Sequence, residues 1–157
     1  MVNLSTMKYT ETQIVFKEVP DEVTLAVNIS NCPCHCEECH SSYLAEDIGE
    51  ELDWTNLNKL ITKNTGITCV SFMGGDSDPA MVNMRARQIK DTYPDIKTAW
   101  YSGRQELSDK IELEHFDFVK LGPYIPSKGG LASKTTNQRF YRIEDKQMID
   151  VTHLFWH

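Results

Sequence analysis

The stretch from residue 67 to residue 121 most narrows what this chain can become. Residues 67–73 are an apolar run of strand length that stops abruptly at Gly74-Gly75-Asp76. Asp78-Pro79 then has the form of a helix N-cap with proline at the first helical position, and Val82, Ala86, Ile89 and Tyr93 share one face of the helix it opens. Pro94 ends that helix, residues 96–101 read as a second strand, a short weak helix is expected at 106–111, and residues 116–121 read as a further strand before Gly122-Pro123. Upstream, residues 13–19 and 23–29 are β-branched and apolar runs parted by Pro20-Asp21, which predicts a strand pair joined by a turn. Trp54, Leu57, Leu60 and Ile61 keep helical spacing until Asn64 and Gly66 stop it.

Alternation of this kind predicts an α/β fold with a mostly parallel sheet covered by helices, whose ligand site gathers at the carboxyl ends of the strands. The loops at 30–42, at Gly74-Gly75-Asp76, at Ser102-Gly103 and at Gly122-Pro123-Tyr124 each follow a predicted strand, so they are expected to share one rim. With 157 residues the chain reads as a single domain, 1–157. A complete eight-unit barrel needs about 250 residues, so the sheet is expected to be open or a partial (βα) barrel with one edge left for a partner or substrate.

Sixteen basic against 23 acidic side chains give a net charge of −7, which argues against nucleic acid or an anionic membrane as partner. The sequence has no apolar run of about 18 residues, and residues 1–8 lack the plan of a secretory signal, so a cytoplasmic protein is expected.

Four of the five cysteines, Cys32, Cys34, Cys36 and Cys39, fall within eight residues, which points to metal or redox chemistry rather than a disulfide framework. A structural zinc site normally draws on two knuckles, and no second knuckle is visible, although Cys34 and His40 are available as further ligands. A dithiol at Cys36-Glu37-Glu38-Cys39 leaves Cys32 and Cys34 without a role. The spacing Cys32-x3-Cys36-x2-Cys39 best suits a 4Fe-4S cluster held by three thiolates, with the fourth iron open to a cofactor or substrate.

That cysteine spacing after a strand, followed one helix and one strand later by Gly74-Gly75-Asp76, resembles the radical S-adenosylmethionine superfamily. Residues 31–40, the Gly122-Pro123-Tyr124 turn and Thr136-Asn137-Gln138-Arg139 are similar, within it, to the glycyl-radical activating enzymes of anaerobic ribonucleoside-triphosphate reductase; the likeness covers about residues 22–142. The resemblance implies that Cys32, Cys36 and Cys39 hold the cluster and that S-adenosyl-L-methionine chelates the open iron. Cleavage of that cofactor to a 5′-deoxyadenosyl radical, and abstraction of a hydrogen from a glycine of the reductase, would follow. It also implies a reductant such as flavodoxin. Cofactor contacts would fall on Glu38, Cys39, His40, Gly74, Gly75, Asp76, Ser102 and Lys120. Asp76 stands where the family carries glutamate, and Glu38 where it commonly carries an aromatic residue or glycine. Cys34 is expected to be a spectator, since a fourth thiolate would close the open iron.

Two other readings stay open: a small-molecule radical enzyme of the deazaguanine-forming type, and a zinc-binding interaction module. Taken singly, several of these residues have plainer roles. Gly74-Gly75 alone would be a strand-to-helix turn, Asp78 a cap, Cys69 a small buried residue, and Lys120 and Arg139 surface charges. His40, His115, His153 and His157 show no spacing that makes a second metal site. Residues 127–139 lack strand or helix periodicity and carry Lys128, Lys134 and Arg139, which suits a loop that meets another surface.

Overall fold

A strand buried on both faces needs a covering layer on each side, and the strand that precedes the cysteines is such a strand. In β2 (Thr24–Ile29) every residue but Asn28 is buried, as are the first four residues of β4 (Cys69–Met73) and all of β6 (Phe118–Leu121). The computed structural model describes residues 7–29 and 50–156. Among these, β2, β4, β5 (Lys97–Tyr101) and β6 lie side by side and parallel, in register from Leu25 beside Val70 to Tyr101 beside Lys120.

The order β2-β4-β5-β6 advances in one direction without reversing. Right-handed crossovers that advance one way put their helices on the same face. Accordingly Leu57 and Ile61 of α1 (Trp54–Lys63) and Val82, Ala86 and Ile89 of α2 (Pro79–Thr92) join one core cluster with Leu25, Val27, Ile29, Val70, Phe72, Trp100, Val119 and Leu121. The alternate strand residues point the other way, as the two-residue period requires, and there Cys69, Ala99 and Phe118 pack with Val19, Phe140 and Val151. Asp53 caps α1 by accepting from the Asn56 amide at 2.8 Å, and Asp78 caps α2 by accepting from the Met81 amide at 3.2 Å.

Antiparallel strands flank this centre. β1 (Lys8–Val15) pairs with β2 and, on its outer side, with the two-residue β3 (Glu50–Glu51). Beyond β6 come β7 (Arg139–Glu144) and β8 (Gln147–Asp150), which brings the mixed sheet to eight strands among the described residues. No described helix is long and apolar enough to cross a membrane.

Two expectations need correction. β1 starts and ends earlier than 13–19; residues 16–19 form the bend that follows it, with Phe16 exposed and Val19 folded under the sheet. The helix expected at 106–111 does not form: the apolar residues there are too few for an amphipathic stripe, and one 3-10 turn at Leu113–His115 bridges to β6 instead. The sheet continues beyond β6 into β7, whose Phe140 is fully buried against Phe118 and Tyr101, so among the described strands its edges lie at β3 and β8.

Candidate functional site

The four parallel strands end together at Ile29, Met73, Tyr101 and Leu121, and the sequence-predicted loops at Gly74, Ser102 and Gly122 leave from one rim. Backbone bonds tie neighbouring loops side by side: the Gly74 amide donates to the Tyr101 carbonyl at 2.9 Å, Ser102 to Lys120 at 2.9 Å, and Gly122 to Arg104 at 2.7 Å. Cys32, Cys34, Cys36, Cys39, Glu38 and His40 lie outside the described residues.

Gly74 and Gly75 have φ of +98° and +87°, in the left-handed region where a side chain is strained. A Cβ on Gly75 would stand 2.8 Å from Val82 Cγ2 and 3.2 Å from Ile29 Cδ1, so α2 and β2 themselves demand glycine there. A side chain at Gly75 would thus point into the core under α2, and a larger residue there strikes the fold itself. The carbonyls face other partners. Gly74 O accepts from the indole of Trp100 at 2.6 Å and Gly75 O from the Asp78 amide at 3.0 Å, and a carbonyl oxygen has a second lone pair to offer.

Asp76, at 4% exposure, turns its carboxylate to the next loop. Oδ1 accepts from Ser102 Oγ at 2.5 Å and Oδ2 from the Gly103 amide at 2.9 Å. Lys120 is also buried; its ammonium donates to the carbonyls of Ser102 at 3.2 Å and Gly122 at 2.6 Å and lies 5.9 Å above the Tyr101 ring. Burial raises the Tyr101 phenol well above its ordinary pKa, and its hydroxyl donates to the Glu18 carbonyl, so Tyr101 is neutral and serves packing.

The loop after β6 is knitted by its own side chains. Thr135 Oγ1 donates to Lys128 O at 2.7 Å, Thr136 Oγ1 to Gly129 O at 3.1 Å, and Asn137 Nδ2 to Pro123 O at 3.0 Å. Asn137 Oδ1 is buried with no hydrogen-bond partner among the described residues. Lys128 and Lys134 remain exposed, whereas Arg139 reaches Asp150 across the β7–β8 hairpin at 3.6 Å.

Sequence reasoning missed Trp100, since its position in a buried strand looks like any other core aromatic until the sheet brings its indole against Gly74. Trp100→Phe is expected to leave that carbonyl without its donor and to lower stability by about 1–3 kcal/mol, measured by urea unfolding followed by circular dichroism; an unchanged midpoint would show the bond to be idle. Cys69, by contrast, is the buried residue expected, its thiol pushed up to about 12 by burial. Its protonated state suits neither metal ligation nor nucleophilic attack. Glu112, Glu114 and His115 bring ligating atoms within 4.8 Å of one another around the 3-10 turn; both carboxylates are exposed. Comparison of the chain with family models, with curated proteins and with solved structures finds no match.

Proposed function

We propose that this protein is a radical S-adenosylmethionine activating enzyme that installs a glycyl radical on anaerobic ribonucleoside-triphosphate reductase. The observation that carries the reading is the pairing of Cys32-x3-Cys36-x2-Cys39, which begins three residues beyond β2, with Gly74-Gly75 at the end of the adjacent parallel strand β4. A one-way run of parallel strands with both helices on one face agrees with a partial (βα) barrel, the expected architecture for this chemistry.

The donor set at the rim fits an amino-acid end of a cofactor. Gly74 O, Gly75 O and Asn137 Oδ1 are acceptors for an ammonium or hydroxyl, and the Lys120 ammonium is a partner for a carboxylate. Cys32, Cys36 and Cys39 would hold the 4Fe-4S cluster as thiolates. Bound together, a reduced cluster and S-adenosyl-L-methionine supply a 5′-deoxyadenosyl radical. The protein's own part is to orient the cofactor's ends and to shield the rim from water, which the buried Asp76, Ser102 and Lys120 serve by crowding polar groups together without solvent. The reductase's glycine loop would complete the enclosure, and a reductant such as flavodoxin would supply the electron.

The test is anaerobic reconstitution. About four irons and four sulfides per chain, with a brown charge-transfer spectrum, are expected, followed by a glycyl-radical signal on the reductase in electron paramagnetic resonance. A colourless protein that holds zinc would overturn the reading. In the same assay Lys128→Glu with Lys134→Glu is expected to leave cofactor cleavage intact and to lower radical yield at limiting activase, because the two lysines project from the loop beside the rim of an acidic protein. Equal yields would move the docking surface elsewhere.

A further inference from the structure

We propose that Asp76 is a positioning residue, which sets the Lys120 ammonium at the rim through the Ser102–Gly103 turn instead of contacting a ligand itself. Both carboxylate oxygens accept bonds from that turn, Oδ1 from Ser102 Oγ and Oδ2 from the Gly103 amide. Ser102 is fixed from several sides: its Oγ also accepts from the Arg104 amide at 3.1 Å, and its own amide donates to Lys120 O at 2.9 Å. The Ser102 carbonyl then accepts from Lys120 Nζ at 3.2 Å. Ser102 thus bonds both to the carboxylate and to the ammonium it places.

The chain of contacts gives a reason for aspartate at this position. Asp76 and Ser102 are 4% and 1% exposed, so the extra methylene of glutamate would have to be accommodated by moving the turn. Removing the carboxylate leaves a buried hydroxyl and a backbone amide short of an acceptor, and the turn that carries one of the ammonium's two carbonyl partners relaxes.

The inference rests on the proposed function only where cofactor affinity is the readout, so the experiment has two arms on the anaerobically reconstituted full chain. In the first, lysine reactivity toward acetic anhydride is read by mass spectrometry. Asp76→Ala and Ser102→Ala are each expected to raise the labelling rate of Lys120 about ten-fold, with no further rise in the double variant, because residues acting in series are not additive. Exposed Lys128 serves as the internal control and should be unchanged, and Asp76→Asn, which keeps the size of the side chain and one acceptor oxygen, should label Lys120 at a rate between those of the parent and Asp76→Ala. Unchanged Lys120 reactivity, or a double variant equal to the product of the singles, would overturn the proposal. Should Asp76→Ala fail to fold, Asp76→Asn alone and combined with Ser102→Ala decides the same point, the combination labelling no faster than Ser102→Ala.

In the second arm, affinity for S-adenosyl-L-methionine is measured by anaerobic calorimetry. Each single variant is expected to bind about ten-fold more weakly and the double variant no worse. Additive losses would mean that Asp76 touches the ligand directly, which overturns the proposal. If the parent binds no cofactor at all, the proposed function falls, while the labelling arm still decides whether Asp76 places Lys120.

Discussion

Alanine at Cys32, Cys36 or Cys39 is expected to abolish both the reconstituted cluster and all cleavage of S-adenosyl-L-methionine, while Cys34→Ala keeps both. Three thiolates are the minimum that hold a cube with one iron open, and a lost ligand leaves a second iron without a protein anchor. Iron and sulfide content per folded chain is the direct measurement. The alternatives give different patterns: a zinc site recruiting Cys34 would lose its metal in all four variants, and a Cys36/Cys39 dithiol would be indifferent to Cys32. Loss of the cluster in Cys34→Ala alone would show that the wrong three cysteines are assigned here. Cys69 supplies no replacement ligand, being fully buried in β4 with its thiol held protonated.

Valine at Gly75 is expected to cost about 2–5 kcal/mol, the sum of roughly 1–2 for a left-handed backbone and 1–3 for overpacking. The second contribution follows from the 2.8 Å approach to Val82 Cγ2 and the 3.2 Å approach to Ile29 Cδ1, both core atoms with no room to retreat. A typical domain has about 5–15 kcal/mol in all, so the variant should be partly unfolded near 37 °C and show a much lower urea midpoint. Gly66→Ala is the matched control. Its φ is +92°, close to that of Gly75, but nothing lies within 4 Å of the added Cβ, so only the backbone contribution should appear. Equal losses at the two sites would mean that packing under α2 is not what requires glycine at Gly75. A weaker affinity for cofactor in Gly75→Val would not by itself implicate the ligand, because the same substitution disturbs the strand end that forms the rim.

Much of the architecture was readable because local and tertiary preferences agree. Val82, Ala86 and Ile89 repeat at helical spacing and are all fully buried, and Asp78-Pro79 opens α2 as its chemistry requires. The hairpin of β7 and β8 was not readable. In Arg139–Glu144 the half-buried Tyr141 and Ile143 alternate with exposed Arg142 and Glu144, but over four residues only, and Phe140 on the other face breaks the pattern with a second adjacent aromatic. Its turn places Asp145 and Lys146 at φ of +49° and +63°, without the asparagine or glycine that usually signals such a turn. That missed hairpin extends the sheet past β6 and makes β8 its edge on that side.

The sequence by itself determined the alternation of strands and helices, the Asp78 cap, and the candidate ligands Cys32, Cys36 and Cys39, because each depends on periodicity or spacing along a short stretch of chain. It also marked Gly74 and Gly75 as special without saying why. Only the tertiary structure decided that Gly75 is required by Val82 and Ile29, that Trp100 holds Gly74, and that Asp76 bonds to Ser102 and Gly103. Those partners are up to 46 residues apart in sequence and meet only because parallel pairing aligns the ends of β2, β4 and β5. A side chain's direction is set by the strand period, but what it meets is set by the neighbouring strand, and no local pattern carries that information.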